Sequence, residues 1–199
     1  MTSTPIEIIA ASGMTDLAHR VYQRLDQQRF GYIAVEDHHF PDGEMKPTIP
    51  EIVRHKEVYL FHPMYPDVNE NLVKAGLTID ALTNASVENI TLVLPYLQYS
   101  RQDRIDVPGA PFSAKFVAQV LQLSPKVEHM LPMDLHVEQI EGCYDIPVEN
   151  LYGAVVFAEH FHQLLHNDFE NVVVYSPDFG GAVRARRFAK MLHPDVRTF

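Results

Sequence analysis

Three clusters of polar residues follow short apolar runs of the chain, and their residue types suit the binding of anions or divalent cations. They are Tyr99–Arg104 (YSRQDR), Met133–His136 (MDLH) and Ser176–Gly181 (SPDFGG). Guanidinium groups make paired hydrogen bonds to phosphate oxygens, and an Asp-x-His pair can bind a metal. Together, the three clusters indicate a single ligand-binding site.

Each cluster also has a purely structural interpretation. The arginines of the first cluster flank Asp103 and could form a solvated loop salt bridge with it. Asp134 and His136 are alternate residues, and one of them could simply cap the next helix. Gly180–Gly181 either leaves backbone N–H groups open to an anion at a helix N-terminus or forms a tight turn. It is not the glycine-rich loop with Lys that Walker-type sites require.

The remaining histidines and the single cysteine are weaker candidates. His162 and His166 are four residues apart on a predicted helix, which suits a metal, but a surface pair is the simpler interpretation because no third ligand is evident. His38 and His39 are expected to be loop residues. Cys143 has no basic neighbour and is expected to be a buried structural thiol.

The elements that position the polar clusters alternate between strands and helices. Strands are predicted at Ile6–Ala10, Gly31–Val35, Val58–His62, Ile90–Pro95, Val127–Leu131 and Val172–Tyr175. Helices are predicted at Thr15–Gln28, Asn69–Thr83, Phe112–Gln122, Ala154–His166 and Ala182–Leu192. Such alternation is typical of an α/β fold with a mostly parallel sheet covered on both faces. Ligands bind outside the carboxyl ends of parallel strands, where all three polar clusters are expected.

Two stretches interrupt this pattern. Phe40–Pro50 contains Asp42-Gly43 and three prolines, which favours a small flap or hairpin. Pro147–Gly153 marks a domain boundary, so residues 1–150 are expected to form one domain and residues 151–199 the beginning of a second. About 50 residues are too few for a comfortable α/β domain.

Composition sets broad limits on the function. The chain has 199 residues, 46% hydrophobic and 21% charged, with a formal net charge of −10. The acidic balance argues against a sequence-independent nucleic-acid binder, which needs basic contacts to phosphate. No apolar run approaches the ~18 residues of a membrane span, and a single cysteine cannot form an intramolecular disulfide. We therefore expect a cytoplasmic protein without a nucleic-acid or membrane partner.

Six motifs occur in the order in which they occur in ribose-phosphate pyrophosphokinases, and the sequence resembles that family from about Ile6 to Leu192. The motifs are Phe40–Glu44, Asn69–Leu72, Tyr99–Arg104, Met133–His136, Asp145–Tyr152 and Ser176–Gly181. Each is weak alone, but the collinear set is highly specific.

The resemblance implies a fold, an assembly and an activity. The family pairs two phosphoribosyltransferase-like α/β domains, the second incomplete here, and places its active site between them, usually in a hexamer. Its members transfer the pyrophosphoryl group of Mg-ATP to the 1-hydroxyl of ribose 5-phosphate, giving phosphoribosyl pyrophosphate and AMP. Mg²⁺, ATP and ribose 5-phosphate, or a derivative of it, are therefore the expected cofactor and substrates, and a homo-oligomer is the expected assembly.

Roles in nucleotide binding and catalysis are also implied by the resemblance. The flap residues would reach the adenine of ATP in a neighbouring subunit; they are Phe40, Asp42 and Glu44. The residues that would contact ATP and its phosphates are Arg101, Gln102 and Asp103. The expected catalytic residues are His136, Arg101 and Arg104.

Roles in metal binding follow from the same resemblance. The residues implied are His136, Asp178, Asp134 and Asp145, with Glu149 standing where the family usually has Asp. Imidazole suits softer metals than Mg²⁺, so Asp178 is the preferred ligand and His136 takes a second role near the pyrophosphate.

The sequence departs from the family mainly after Leu192. The loop that grips ribose 5-phosphate and the mobile basic loop are not found before Phe199, and Ile52–His55 differs from the usual phosphate-regulation motif. A polypeptide of residues 1–199 alone is therefore expected to bind nucleotide and turn over negligibly. Two alternatives remain: the same transfer to another ribose-5-phosphate derivative such as ADP-ribose, or a non-catalytic associated or regulatory subunit.

Overall fold

The computed structural model describes residues 5–166 and 168–199. The strands are β1 (Ile6–Ala10), β2 (Phe30–Ala34), β3 (Glu36–His39), β4 (Met45–Thr48), β5 (Glu57–Phe61), β6 (Asn89–Leu94), β7 (Val127–Pro132), β8 (Val173–Val174) and β9 (Arg197–Thr198). The helices are α1 (Thr15–Tyr22), α2 (Val68–Asn84), α3 (Ser113–Leu121), α4 (Ala154–Leu164) and α5 (Ala182–Leu192), and Glu138–Cys143 forms a short 3₁₀ helix.

The chain divides into two compact units between Leu151 and Tyr152. The first unit contains the strands β1–β7 and the helices α1–α3. The second unit contains α4 and α5 with the two-residue strands β8 and β9, which pair in parallel. Ala158, Ala189, Leu192 and Val196 form its small core. This second unit is a short α/β segment.

The first unit is built on a five-stranded sheet with the order β2-β1-β5-β6-β7, in which every neighbouring pair is parallel. Successive side chains alternate between its faces: Ile8 packs in the layer that contains Ala18 of α1, whereas Ile9 packs with Ile79 of α2 and Val117 of α3. The sheet is therefore covered on both faces, which confirms the predicted α/β fold class.

The strand order has one topological switch point. The chain runs from β1 outward to β2, then returns across β1 to β5 and continues in the opposite direction to β6 and β7. In sheets of this order, the carboxyl ends of the two strands at the switch point are the common place for a ligand. Here those strands are β1 and β5.

A hairpin leaves the sheet directly after β2. Strands β3 and β4 are antiparallel, with Asp37 opposite Pro47 and His39 opposite Met45. The turn is closed by the Phe40 N–H, which donates to the Glu44 carbonyl at 2.8 Å, and Gly43 adopts a φ of +92° that favours glycine. The predicted hairpin is present, but the expectation that His38 and His39 lie in a loop was wrong, because both belong to β3.

Two helices are shorter than their apolar patterns predicted. The first helix ends at Tyr22 rather than Gln28, because the Arg24 and Leu25 N–H groups donate to carbonyls only three residues back. Further along, the Asp26 side chain accepts the Gln28 N–H at 3.0 Å and competes with helical hydrogen bonding. The fourth helix ends at Leu164, and His166 follows it with a φ of +48°. His162 and His166 therefore do not form a helical i, i+4 pair. Among helices of the described ranges, none combines the length and the apolar character needed to cross a bilayer.

Candidate functional site

The loops that carry Arg101 and His136 leave the same edge of the sheet. They follow β6 and β7, which are adjacent and parallel, with Leu92 opposite Met130 and Leu94 opposite Pro132. Both loops thus begin at the carboxyl ends of neighbouring strands, where ligands bind in open α/β sheets.

The start of the arginine loop is fixed by local hydrogen bonds. Tyr99 has a left-handed φ of +58°, and its hydroxyl donates to the Asn69 side chain of α2. The Ser100 hydroxyl donates to the Leu97 carbonyl at 2.7 Å. Arg101 and Arg104 follow and are exposed. Within the described ranges no salt bridge joins either arginine to Asp103, so their guanidinium groups are available to an external anion.

Gln102 ties the loop to the beginning of α3. Its side-chain carbonyl oxygen accepts a hydrogen bond from the Ser113 hydroxyl, and its backbone carbonyl accepts the Ala114 N–H at 3.1 Å. These bonds constrain Gln102, the residue next to Arg101. The side-chain NH₂ group of Gln102 is left as the part that can contact a ligand.

The end of β7 is held by the segment that runs beside it. The Met130 N–H donates to the Pro147 carbonyl at 3.1 Å, and the Leu151 N–H donates to the Pro132 carbonyl at 2.8 Å. Asp134 adopts a φ of +49°, and its N–H donates to the Leu151 carbonyl at 2.9 Å.

Asp134 and His136 share one loop at this edge of the sheet and are both exposed. The 3₁₀ helix that follows has Val137 at its N-terminal cap position, without a side-chain cap hydrogen bond. This 3₁₀ helix is therefore not capped by the side chain of Asp134 or His136.

Asp145 lies at the other end of β7. Its N–H donates to the Gln122 side chain at 2.8 Å, directly after α3 and before β7 begins. A six-residue strand spans roughly 20 Å, so the structure does not bring Asp145 together with His136. Among the residues that the structure describes, no three His, Cys, Asp or Glu side chains gather closely enough to hold a metal ion.

In the second unit, Asp178 is fixed at the start of α5. One carboxylate oxygen accepts the Gly181 N–H at 2.7 Å, and the Asp178 carbonyl accepts the Ser176 hydroxyl at 2.7 Å. A Cβ on Gly181 would lie 2.6 Å from the Ser176 Oγ, so a larger residue there would force the Ser176 hydroxyl to move. The Asp178 carboxylate thus uses a backbone N–H that an external anion would need, which favours the tight-turn interpretation of Gly180–Gly181.

Cys143 and His162 have structural surroundings. Cys143 is partly buried against the main core, and this burial raises the pKa of its thiol, which makes it a weaker nucleophile at neutral pH. His162 packs edge-on against Phe169 with 4.9 Å between ring centroids.

One polar cluster was missed by the sequence analysis. Ser12, Asp37, His62 and Lys74 meet near the switch point of the first unit, and Lys74 donates hydrogen bonds to both Ser12 and Asp37. Burial alone raises the pKa of Asp37, but the hydrogen bonds from Lys74 and Ser12 and the Lys74 charge outweigh it, so that pKa lies below its usual value. The available sequence signal was a lysine among the apolar positions of α2.

The sequence is similar to known proteins whose descriptions agree with one another. A sequence profile described as the N-terminal domain of ribose phosphate pyrophosphokinase matches residues 6–124, more than half of the chain. A ribose-phosphate pyrophosphokinase of Helicobacter hepaticus is 42% identical over 157 residues, covering 79% of this chain and 50% of the relative. Ribose-phosphate pyrophosphokinase 1 of Streptococcus pneumoniae is 36% identical over 198 residues, covering 98% and 59% respectively.

A solved structure is similar along almost the whole chain. The crystal structure of phosphoribosylpyrophosphate synthetase from Mycobacterium smegmatis superposes with a TM-score of 0.86 and 27% sequence identity. The superposition covers 98% of this chain and 63% of the solved one. The chain therefore spans about half the length of the curated relatives that it matches.

Proposed function

The chain belongs to the ribose-phosphate pyrophosphokinase family, and we propose that it carries the ATP-binding part of a ribose-phosphate diphosphokinase. The reaction transfers the pyrophosphoryl group of Mg-ATP to the 1-hydroxyl of ribose 5-phosphate and releases AMP. The observation that carries this proposal is the common origin of the Arg101 and His136 loops at the carboxyl ends of two paired parallel strands.

The arginine loop is proposed to bind the phosphates of ATP. Arg101 and Arg104 are exposed and make no ion pair within the described ranges. Phosphoryl-type transfer depends on holding the substrates in line and neutralising the charge that develops, rather than on covalent help from the protein. Fixed guanidinium groups supply both effects, and the ties of Gln102 to α3 limit how far the loop can move.

Asp134 and His136 in the first unit, and separately Asp178 in the second, are proposed as metal-binding residues, and their donor chemistry fits Mg²⁺ to different degrees. The carboxylates of Asp178 and Asp134 are hard oxygen ligands, whereas the His136 imidazole is better suited to a position near the pyrophosphate. When bound, Mg²⁺ would neutralise phosphate charge. The predicted role of Asp145 remains separate, because it lies at the other end of β7.

The hairpin tip is proposed to contact adenine in a neighbouring copy of the chain. Phe40, Asp42 and Glu44 are exposed at this tip, where Asp42 accepts the Glu44 N–H at 3.1 Å. A flap used in this way requires a homo-oligomer, for which a hexamer is the family precedent. A cytoplasmic location fits the use of ATP as substrate.

The test combines nucleotide binding with product formation. Arg101→Ala should weaken ATP binding measured by titration calorimetry by roughly 1.5–3 kcal/mol, the usual range for a hydrogen bond to a charged group. Release of AMP with ribose 5-phosphate, which is expected to be negligible for residues 1–199 alone, should fall in a full-length relative that carries the equivalent change. Arg24→Ala is the matched control, since Arg24 is an exposed arginine in the turn after α1, before β2 begins. Equal ATP affinities for wild type and Arg101→Ala would overturn the proposal.

A further inference from the structure

Polar side chains of the chain itself occupy the switch point of the first unit. Ser12 follows β1 directly after Ala11, and His62 follows β5 directly after Phe61. Asp37 comes from the hairpin and Lys74 from the middle of α2. The loops after β1 and β5, the hairpin strand β3 and the helix α2 therefore converge where sheets of this order usually hold a ligand.

Lys74 and Asp37 form an ion pair with little access to water. Their side chains are 7% and 12% exposed, and the Lys74 ammonium donates to both Asp37 and the Ser12 hydroxyl. Ser12 also donates to Asp37, so the same carboxylate oxygen receives two hydrogen bonds. Removing charged groups from water costs several kcal/mol per ion, which only close pairing and further hydrogen bonds can offset.

This ion pair lies at the base of the hairpin. Asp37 is three residues before Phe40 and opposite Pro47 of β4, and β4 itself packs against α2. The base of the hairpin is therefore held to α2 in two ways, through the Asp37–Lys74 ion pair of β3 and through the packing of β4. The tip, from Phe40 to Glu44, is exposed.

We propose that Asp37, Lys74 and Ser12 are positioning residues that fix the hairpin so that its tip is preorganised for the adenine of ATP. This inference rests on the proposed function of the hairpin tip. A buried ion pair is weak evidence for stability, because apolar residues of similar volume often stabilise a fold equally well. An ion pair does require one alignment of its partners, and a fixed alignment lowers the conformational cost of binding.

The experiment separates adenine contacts from phosphate contacts. Affinities for ATP and for inorganic tripolyphosphate are measured by titration calorimetry on the wild type, Lys74→Met and Asp37→Asn. Both variants should bind ATP roughly tenfold more weakly and tripolyphosphate with unchanged affinity, since only ATP uses the preorganised tip. Lys56→Met is the matched control: Lys56 pairs with Glu7 at 2.5 Å, and Glu7 lies at the amino end of β1, away from the hairpin.

A second variant distinguishes positioning from simple stability. The double variant Asp37→Leu/Lys74→Met replaces the ion pair by apolar groups and should recover stability to urea while ATP affinity stays low. Compared with the wild type, amide hydrogen exchange at residues 36–48 should be faster in Lys74→Met and unchanged in Lys56→Met. This difference should not depend on which ligand is present. Unchanged exchange, or an unchanged ratio of ATP to tripolyphosphate affinity, would overturn the inference. A different result would overturn the proposed function instead: faster exchange in Lys74→Met, together with an ATP affinity that Arg101→Ala leaves unchanged.

Discussion

The hydroxyl of Ser113 donates a hydrogen bond to the side-chain oxygen of Gln102, across the ten residues of the arginine loop that separate them. Ser113 is the first residue of α3 and is buried, whereas Gln102 lies beside the exposed Arg101. Helix α3 and the proposed phosphate-binding arginines are thus connected through this contact and through the Ala114 N–H, which donates to the Gln102 carbonyl at 3.1 Å. Such a contact can orient a residue that binds ligand without touching the ligand itself.

Replacing Ser113 by alanine should loosen this connection. We expect Ser113→Ala to lose about 1 kcal/mol of unfolding free energy, the net value of an ordinary hydrogen bond, and to weaken ATP binding several-fold because the loop becomes less ordered. Urea unfolding and titration calorimetry measure the two effects. Ser124→Ala is the control: Ser124 is equally buried and hydrogen-bonded to Thr83, but it lies beyond the other end of α3. Equal ATP affinities for the two variants would contradict the prediction.

The turn before α5 gives a comparison of two adjacent glycines. A Cβ on Gly181 would lie 2.6 Å from the Ser176 Oγ, whereas a Cβ on Gly180 would meet only the Asp178 Oδ1, at 3.4 Å. Both Cβ atoms would lie 3.4 Å from the Asp178 Oδ1, so the two changes differ at the Ser176 hydroxyl, which Gly181→Ala should push away from the Asp178 carbonyl. We expect Gly181→Ala, but not Gly180→Ala, to loosen the turn that holds Asp178 and to raise the Mg²⁺ concentration for half-maximal ATP binding by roughly tenfold, as for other changes around metal ligands. Similar Mg²⁺ dependence in both variants would count against a metal role for Asp178.

The fold was predictable because it depends on local apolar patterns. The first strand, Ile6–Ala10, has the predicted bounds, and the sheet is parallel as the strand–helix alternation indicated. The Asp42-Gly43 signal likewise gave the hairpin. Errors arose where side chains compete with the backbone, as Asp26 does after α1.

The candidate site was only partly predictable. The sequence placed Arg101 and His136 after two consecutive predicted strands, and the structure shows that these strands, β6 and β7, are paired neighbours in the sheet. It did not indicate Lys74, because the partner Asp37 is 37 residues away and the pairing depends on tertiary packing. The sequence also did not show that Asp145 and His136 lie at opposite ends of β7. The segment from Asp145 to Leu151 runs beside this strand from one end to the other.

Subunit mixing tests whether the hairpin acts in a neighbouring copy. Phe40→Ala should impair the flap and Arg101→Ala the loop, so each variant alone should bind ATP weakly. After dissociation and reassociation of equal amounts, sites that combine an intact flap with an intact loop should restore tight ATP binding at about one quarter of the sites in a symmetric oligomer. Phe40→Ala mixed with itself is the control. A mixture that binds ATP no more tightly than its components would show that flap and loop belong to the same subunit.

His62 should make the stability of the protein depend on pH. Its Nδ1–H donates to the Pro63 carbonyl at 2.8 Å, and its Nε2 has no hydrogen-bond partner in the described chain. Burial, aided by the Lys74 charge and opposed by that hydrogen bond, lowers the pKa of His62 from 6.5 to about 4. Between these values the unfolded chain binds a proton that the folded chain does not, so stability falls as pH drops from about 6.5 toward 4. At pH 5 this amounts to about 2 kcal/mol relative to pH 7.

His62→Asn keeps a comparable donor without the titration, so urea unfolding should show a smaller loss of stability from pH 7 to pH 5 than in the wild type. An equal loss in both proteins would assign the pH dependence to other groups.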